Sequence, residues 1–242
     1  MDFLLGDCLE LLPALPDKSV DHTITDPPYW KTRNGWDTAF DIKLWWHEIN
    51  RVTRYGVIMT AMLPFAAQIV MGNLCNFRYD YVWEKNNAKG HLNANRMPLR
   101  AHELILVFNQ AKYFPQMSGG HRPVNSYTKH HDGSNYGATK TWSGGGRTTR
   151  YPRSVVRFDV VPNDGHGEKR YHPTQKPLAL FEYLLLTHTA PGEIILDPFC
   201  GVGTTALAAR KHQRNFICIE RDPDTIEKAK KRLLEAASCT TP

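Results

Sequence analysis

Asp197-Pro198-Phe199-Cys200-Gly201-Val202-Gly203-Thr204-Thr205-Ala206 stands between two apolar runs, Glu193 to Leu196 and Phe216 to Glu220. Residues Thr204 to His212 between them have helical spacing. The pattern predicts a strand, a tight turn of the form G-x-G-x-x-A, a helix and a second strand, which is a βαβ unit of a parallel, open α/β sheet. Glycines in such a turn let backbone pass close to a ligand, and the helix start offers unpaired N–H groups. Glu220 closes the second strand 19 residues after Gly201, where an acidic side chain meets ribose hydroxyls in nucleoside-binding folds. The turn alone leaves open a dinucleotide, S-adenosylmethionine, or a bare structural turn.

Outward from that unit the chain alternates strand and helix. Toward the C-terminus a last helix opens with Asp222 as N-cap and Pro223 at its first position, and carries Ile226, Ala229, Leu233 and Leu234 on one face. Toward the N-terminus, His172-Pro173-Thr174-Gln175-Lys176-Pro177 precedes a helix from Leu178 to Thr189. Strands are expected at Phe3–Leu5, Val20–Thr25, Val57–Thr60, Tyr79–Trp83 and Leu104–Phe108, and helices at Cys8–Leu15, Ile42–Val52 and Pro64–Leu74.

The strand ending at Thr25 runs into Asp26-Pro27-Pro28-Tyr29. Two prolines forbid continuation of the strand, so a carboxylate and an aromatic ring are presented from a stiff loop at its C-terminal edge. The tetrapeptide arises by chance in a chain of this length about once in a thousand at average residue usage. Its chemistry suits an exocyclic nucleobase amine, whose lone pair is delocalised into the ring and hence poorly nucleophilic. The Asp26 carboxylate and a Pro carbonyl can accept both N–H bonds and favour a tetrahedral nitrogen with a localised lone pair, while Tyr29 offers a face for an unstacked base. A packed Asp-Pro-Pro loop is the competing structural reading of the tetrapeptide by itself.

Between Arg78 and Arg153 there are 12 Lys/Arg against 4 Asp/Glu, whereas the remainder holds 18 against 20, so all the positive excess of the chain lies in its middle third. Such an excess attracts polyanions. Within it, Lys112 to Tyr151 loses both strand and helix periodicity. Glycines (Gly119-Gly120, Gly133, Gly137, Gly144-Gly145-Gly146) mix there with Tyr113, Phe114, Tyr127, Tyr136, Trp142 and Tyr151, and with Arg122, Lys129, Lys140, Arg147 and Arg150. A Gly/Ser linker would lack six aromatics; this mixture suits a loop-rich surface that orders on a nucleic acid. The five cysteines, widely spaced, form no disulfide or zinc pattern, and Cys200 and Cys218 read as buried thiols. The histidines, His130-His131 included, form no metal motif, and no metal is expected. No apolar run approaches a membrane span, and the first residues do not have the form of a signal peptide, so a cytoplasmic, nucleoid-associated location is expected.

Asp26 to Tyr29, then the basic middle, then His172 to Pro177, then Asp197 to Thr205 is an order and a set of motifs that resembles the β-class DNA amino-methyltransferases (N6-adenine / N4-cytosine family) of bacteria and their phages. The resemblance covers nearly the whole chain, the middle excepted. It implies a Rossmann-like, seven-stranded α/β S-adenosylmethionine-dependent methyltransferase sheet with a loop-rich target-recognition insertion. The divisions would be 1–111 (catalytic half), 112–153 (insertion) and 154–242 (cofactor half). Asp26, Pro27, Pro28 and Tyr29 would be catalytic. Asp197, Phe199, Gly201, Gly203 and Thr204 would hold S-adenosylmethionine, Glu220 its ribose and Asp7 its adenine amine, with Thr174 and Lys176 near the methionine end. His102-Glu103 also fits the family pattern, with no chemistry attached. The family tends to use Asp in the tetrapeptide for adenine and Ser for cytosine, so a flipped adenine N6 in DNA, double-stranded or single-stranded, is the expected target. Members are often homodimers.

Other readings are an N4-cytosine methyltransferase, an RNA or protein-amide methyltransferase, a NAD(P)-dependent oxidoreductase and a DNA-binding module with a decayed site. The oxidoreductase leaves Asp26 to Tyr29 without a role, and decay is at odds with two intact motifs.

Overall fold

A computed structural model describes residues 2–30, 35, 37–129, 142–162 and 167–238. His130-His131, Gly133, Tyr136, Gly137, Lys140 and Cys239 lie outside them. The chain divides into two compact units, one of Met1–Phe114 with Ser154–Pro242, the other Pro115–Arg153.

The larger unit is built on one sheet whose strands are β1 (Asp2–Leu5), β2 (His22–Thr25), β3 (Gly56–Ala61), β4 (Phe77–Lys89), β5 (Arg100–Asn109), β8 (Val155–Arg157), β9 (Ile194–Asp197) and β10 (Asn215–Glu220). Their spatial order is β1-β10-β9-β2-β3-β5-β4-β8. The first five in that order run parallel, β5 is antiparallel to both β3 and β4, and β8 lies parallel to β4. Every residue of β2 and of β3 is buried, as central parallel strands covered on both faces must be.

Helices α1 (Cys8–Leu11), α2 (Ile42–Val52), α3 (Phe65–Gly72), α4 (Leu178–His188), α5 (Thr204–Lys211) and α6 (Pro223–Ser238) complete the unit. Alternation along the strands sends side chains into two cores. Val57, Met59, Leu106 and Phe108 pack with Trp45, Trp46, Ile49 and Phe65 of α2 and α3. Ile58, Ile105, Val107 and Ile195 pack with Leu180, Leu184, Ala206 and Ala209 of α4 and α5. Asp41 caps α2 by accepting from the Leu44 N–H at 3.0 Å, and Asp222 caps α6 by accepting from the Thr225 N–H at 3.1 Å. The expected helix before Pro16 is split, with α1 giving way to a 3-10 turn at Leu12–Ala14 that accommodates Pro13.

The mixed α/β sheet carries eight strands where the resemblance implies seven. The added β8 is three residues long with only Val156 buried, too short for periodicity to reveal. It covers the edge of β4, which would otherwise present unpaired backbone. β4 also runs well past the expected Trp83, through the polar stretch Glu84 to Lys89. In the smaller unit β6 (Tyr127–Lys129) and β7 (Trp142–Gly144) form an antiparallel pair, and Ser118 bridges to Arg150.

Candidate active site

β2 and β9 are parallel neighbours, with Thr23 opposite Leu196, so the loops after them leave the same edge of the sheet side by side. The Thr25 hydroxyl donates to Asp197 Oδ1 at 2.6 Å, tying the last residue of one strand to the last of the other across 172 positions of sequence. Both loops open onto one cavity of about 890 Å³, within the roughly 300–1,000 Å³ range of small-molecule sites. Its walls include Asp26 to Tyr29, Asp197 to Val202, Thr204, Glu220, Asp7, Thr174 and Lys176.

At one end of the cavity Asp26 stands in a network of buried charge. Its Oδ1 accepts from the Tyr29 hydroxyl at 2.8 Å and from the Thr60 hydroxyl, and pairs with the Lys176 ammonium at 2.9 Å. No described residue hydrogen-bonds to Oδ2, which leaves that oxygen able to accept from a ligand. Lys176 also reaches Glu103 Oε2 at 3.4 Å, while Lys85 pairs with Oε1 of the same carboxylate. Two carboxylates and two ammonium groups thus balance in a confined space, as buried ions must. Burial works against the charge of Lys176, but Asp26 and Glu103 overcome it and hold the ammonium above its ordinary value. Burial likewise pushes the Glu103 carboxyl up, and Lys176 with Lys85 brings it below the usual carboxylate range. The Lys85 amine is lowered by burial despite Glu103. Burial, then the charges of Asp26 and Glu103, raises the Tyr29 hydroxyl, so it stays protonated and donates. The Tyr29 ring is supported by Phe65, centroids 5.6 Å apart, and the Lys176 ammonium lies 5.2 Å from its centroid.

The other end is shaped by backbone. Gly201 adopts φ +52° with nothing within 4 Å of a built Cβ, so its bare Cα faces open space. Its N–H donates to Glu220 Oε2 at 3.0 Å, and the Asp222 N–H donates to Oε1 at 2.9 Å, which orients the Glu220 carboxylate at the cavity wall. Phe199 packs on Phe40 and Trp45, at 5.1 and 6.3 Å between centroids. Asp7 lines the cavity while its Oδ1 caps α1 through the Leu9 N–H at 2.8 Å.

Three expected cofactor residues have other partners. Gly203 does not line the cavity; it caps α5 at φ +74°, and a Cβ there would stand 3.0 Å from Ala229. Asp197 is 2% exposed and its oxygens take the hydroxyls of Thr25 and Thr205 and the Phe199 N–H, which makes it the brace of the loop. Burial raises its carboxyl to about 7, against those hydrogen bonds. Lys176 spends its ammonium on Asp26 and Glu103, while its carbonyl accepts from the Thr204 hydroxyl at 3.4 Å, bridging the two loops. The Thr174 hydroxyl pairs with His172 Nδ1 at 2.8 Å and lines the cavity. Glu103, Lys85 and Thr60 had no assigned role in the sequence. Glu103 carried two signals in the sequence, the fit of His102-Glu103 to the family pattern and its place as a lone carboxylate at the head of the apolar run Leu104 to Phe108.

Cys200 and Cys218 are buried free thiols. Among the described residues no group of three or more His, Cys, Asp or Glu could hold a metal ion, and no helix is long and apolar enough to cross a membrane.

A family model described as DNA methylase (N6_N4_Mtase) matches residues 20–231. The Type II methyltransferase M.HinfI of Haemophilus influenzae is 29% identical over 265 aligned positions, covering 96% of this chain and 68% of that protein. The solved structure of the M1.HpyAVI-SAM complex is 27% identical with a TM-score of 0.62, covering 96% of this chain and 99% of that one. The cytosine-N4-specific PvuII DNA methyltransferase shares the fold, with a TM-score of 0.66 at 16% identity over 96% of this chain and 85% of that one.

Proposed function

We propose an adenine-N6 methyltransferase, from the premise that the chain belongs to the DNA methylases of the N6/N4 family, in the β-class order of motifs. The reading is that a methyl group passes from S-adenosylmethionine to the exocyclic N6 of an adenine flipped from DNA. The observation that supports it most is the placing of Asp26 and Gly201 on loops from adjacent strands around one cavity.

The cavity suits the cofactor on its own evidence: an open backbone face at Gly201, an oriented carboxylate at Glu220 for ribose hydroxyls, and Asp7 with an oxygen to spare for an adenine amine. When bound, S-adenosylmethionine supplies a methyl on a cationic sulfur. Asp26 Oδ2 accepts one N–H of the target amine and the Pro27 carbonyl the other, which localises the nitrogen lone pair. Tyr29 holds the Asp26 carboxylate by its hydroxyl and offers ring surface to the base. Methylation leaves one proton too many on the nitrogen, and the Asp26 carboxylate takes it. Lys176, paired to Asp26 and Glu103, would hold the carboxylate in place for the incoming amine. Residues 112–153 would read the duplex, the working partner double-stranded DNA, the assembly a homodimer and the setting the cytoplasm. The Type II relative suggests a restriction-modification role.

Incubation with methyl-labelled S-adenosylmethionine and DNA, then nucleoside analysis, tests the reading. Label in N6-methyladenine is expected, and label in N4-methylcytosine alone overturns the adenine assignment. Preference for RNA when the two polymers compete overturns DNA as substrate.

A further inference from the structure

We propose that the hairpin formed by β4 and β5 is a second DNA-contacting element, and that Leu92 at its tip is the wedge that fills the duplex where the target base leaves it. The inference rests on the amino-methyltransferase reading and adds a residue to it.

The hairpin is a wall of the cavity continued outward. Lys85 pairs with Glu103 beside Asp26, and Lys85, Asn87 and Lys89 line the cavity. From Lys85 to Lys89 the strand advances about 13 Å at roughly 3.3 Å per residue. A nucleotide swung into the cavity is still joined to its duplex by phosphates, so the structure that rises from the cavity rim stands where the duplex must lie.

The tip has the composition that a groove-entering element needs. Leu92 is 102% exposed, and Met97 and Leu99 are exposed beside it. Residues 86–102 hold Lys89, Arg96 and Arg100 and not one carboxylate. A single exposed Leu calls for no explanation, but three apolar side chains on a cationic tip do. The tip is also ordered by its own bonds: the Asn93 N–H donates to the Gly90 carbonyl at 2.9 Å and the Arg96 N–H to the Asn93 carbonyl at 2.8 Å. Gly90, at φ +102°, takes the left-handed turn that aims it. Cations that grip phosphates beside an apolar side chain that enters between base steps is how proteins unstack and bend DNA. The tip's positive charge argues for a polyanion and against a second copy of the same basic tip.

The experiment uses a duplex containing one site mapped by sequencing DNA that the wild-type protein has methylated. In one form the target base is paired; in another it faces a mismatch, which lowers the cost of extruding it. Leu92→Ala is expected to lower kcat/KM about tenfold or more on the paired duplex and to return to within about twofold of wild type on the mismatched one. Leu92→Met should behave as wild type, and S-adenosylhomocysteine should bind all three proteins alike. Leu92→Ala activity equal to wild type on the paired duplex overturns the wedge, as does a loss that the mismatch fails to restore. A change of sedimentation mass in Leu92→Ala assigns the tip to a second copy and overturns it as well. Wild-type protein that transfers no label to any DNA overturns the parent reading, a result distinct from an active wild type with an unimpaired variant.

Discussion

The loop after β2 is held by charge and the loop after β9 by backbone, although the two leave adjacent strands and face one cavity. Asp26 depends on Lys176, Tyr29 and Thr60, and Lys176 in turn on Glu103, whose other oxygen pairs with Lys85. Gly201 depends on a positive φ and an N–H bond to the Glu220 carboxylate, while the turn around it is braced by Asp197, which burial raises toward neutrality, and by the buried Arg232, which donates to the Val202 carbonyl and the Thr204 hydroxyl. The difference suits a division of labour. An end shaped by backbone, with the Glu220 and Asp7 carboxylates at its wall, can hold a nucleoside by its hydroxyls and amine. A balanced ionic end can answer to charge that appears during reaction.

Four substitutions would break or sharpen that contrast. Asp26→Ala should lower turnover at least about a thousandfold, the upper part of the range for a positioned acid-base group, while S-adenosylhomocysteine binding by calorimetry stays near wild type. Equal activity would sink the charge-based account of this loop. Gly201→Val should do the reverse: it strains a left-handed residue and fills the open face, so the cofactor Kd should rise about a hundredfold with folding retained by circular dichroism. A variant with unchanged Kd would mean that the backbone end does not meet the cofactor.

Asp197→Asn probes the same loop through pH. A carboxyl raised to about 7 in the fold against about 4 unfolded contributes stability that is present below pH 4 and lost as pH rises through 7. Wild type should therefore lose about 2 kcal/mol relative to Asp197→Asn between pH 5 and pH 7, seen as a relative Tm shift of roughly 4–8 °C. A pH-independent difference would show that Asp197 is ionised throughout. The smallest effect is expected at Glu103→Gln. It leaves Lys176 and Lys85 with one carboxylate fewer and draws Lys176 more tightly onto Asp26, so kcat should fall about tenfold, the size of a coupling of ~1.4 kcal/mol, with KM for DNA little changed. A loss confined to thermal stability would make Glu103 a fold residue only.

Much of the fold was legible because it is written locally. The turn at Gly201 to Gly203, the Pro27-Pro28 break and the cap at Asp222 each declare themselves within a few residues, and α2 came out at its expected bounds because its apolar stripe is regular. What escaped depends on distant partners. Glu103 acquires meaning beside Lys85, Lys176 and the Tyr29 hydroxyl that donates to it at 3.2 Å, which no spacing links. Gly203 matches a ligand motif, yet its missing Cβ serves the approach of α6 at Ala229. Lys176 was placed near the cofactor by its motif, and its ion-pair partners come from the loop after β2 and from strand β5. Glu84 to Lys89 is too polar to read as strand, since its sides are not both covered.

The pairing of β1, among the described residues, with β10 alone, and of β10 with β9, bears on how the molecule is made. Of the strands of this sheet a ribosome releases β1 first and β10 last, so β1 waits for every other strand before it has its neighbour, and β2 lacks its β9 flank for almost as long. Pairings this remote in sequence make for slow folding and leave unpaired strand edges open to other chains meanwhile. Lower growth temperature during expression should favour native over aggregated product, and no intermediate that ends before β9 can possess both loops of the proposed site.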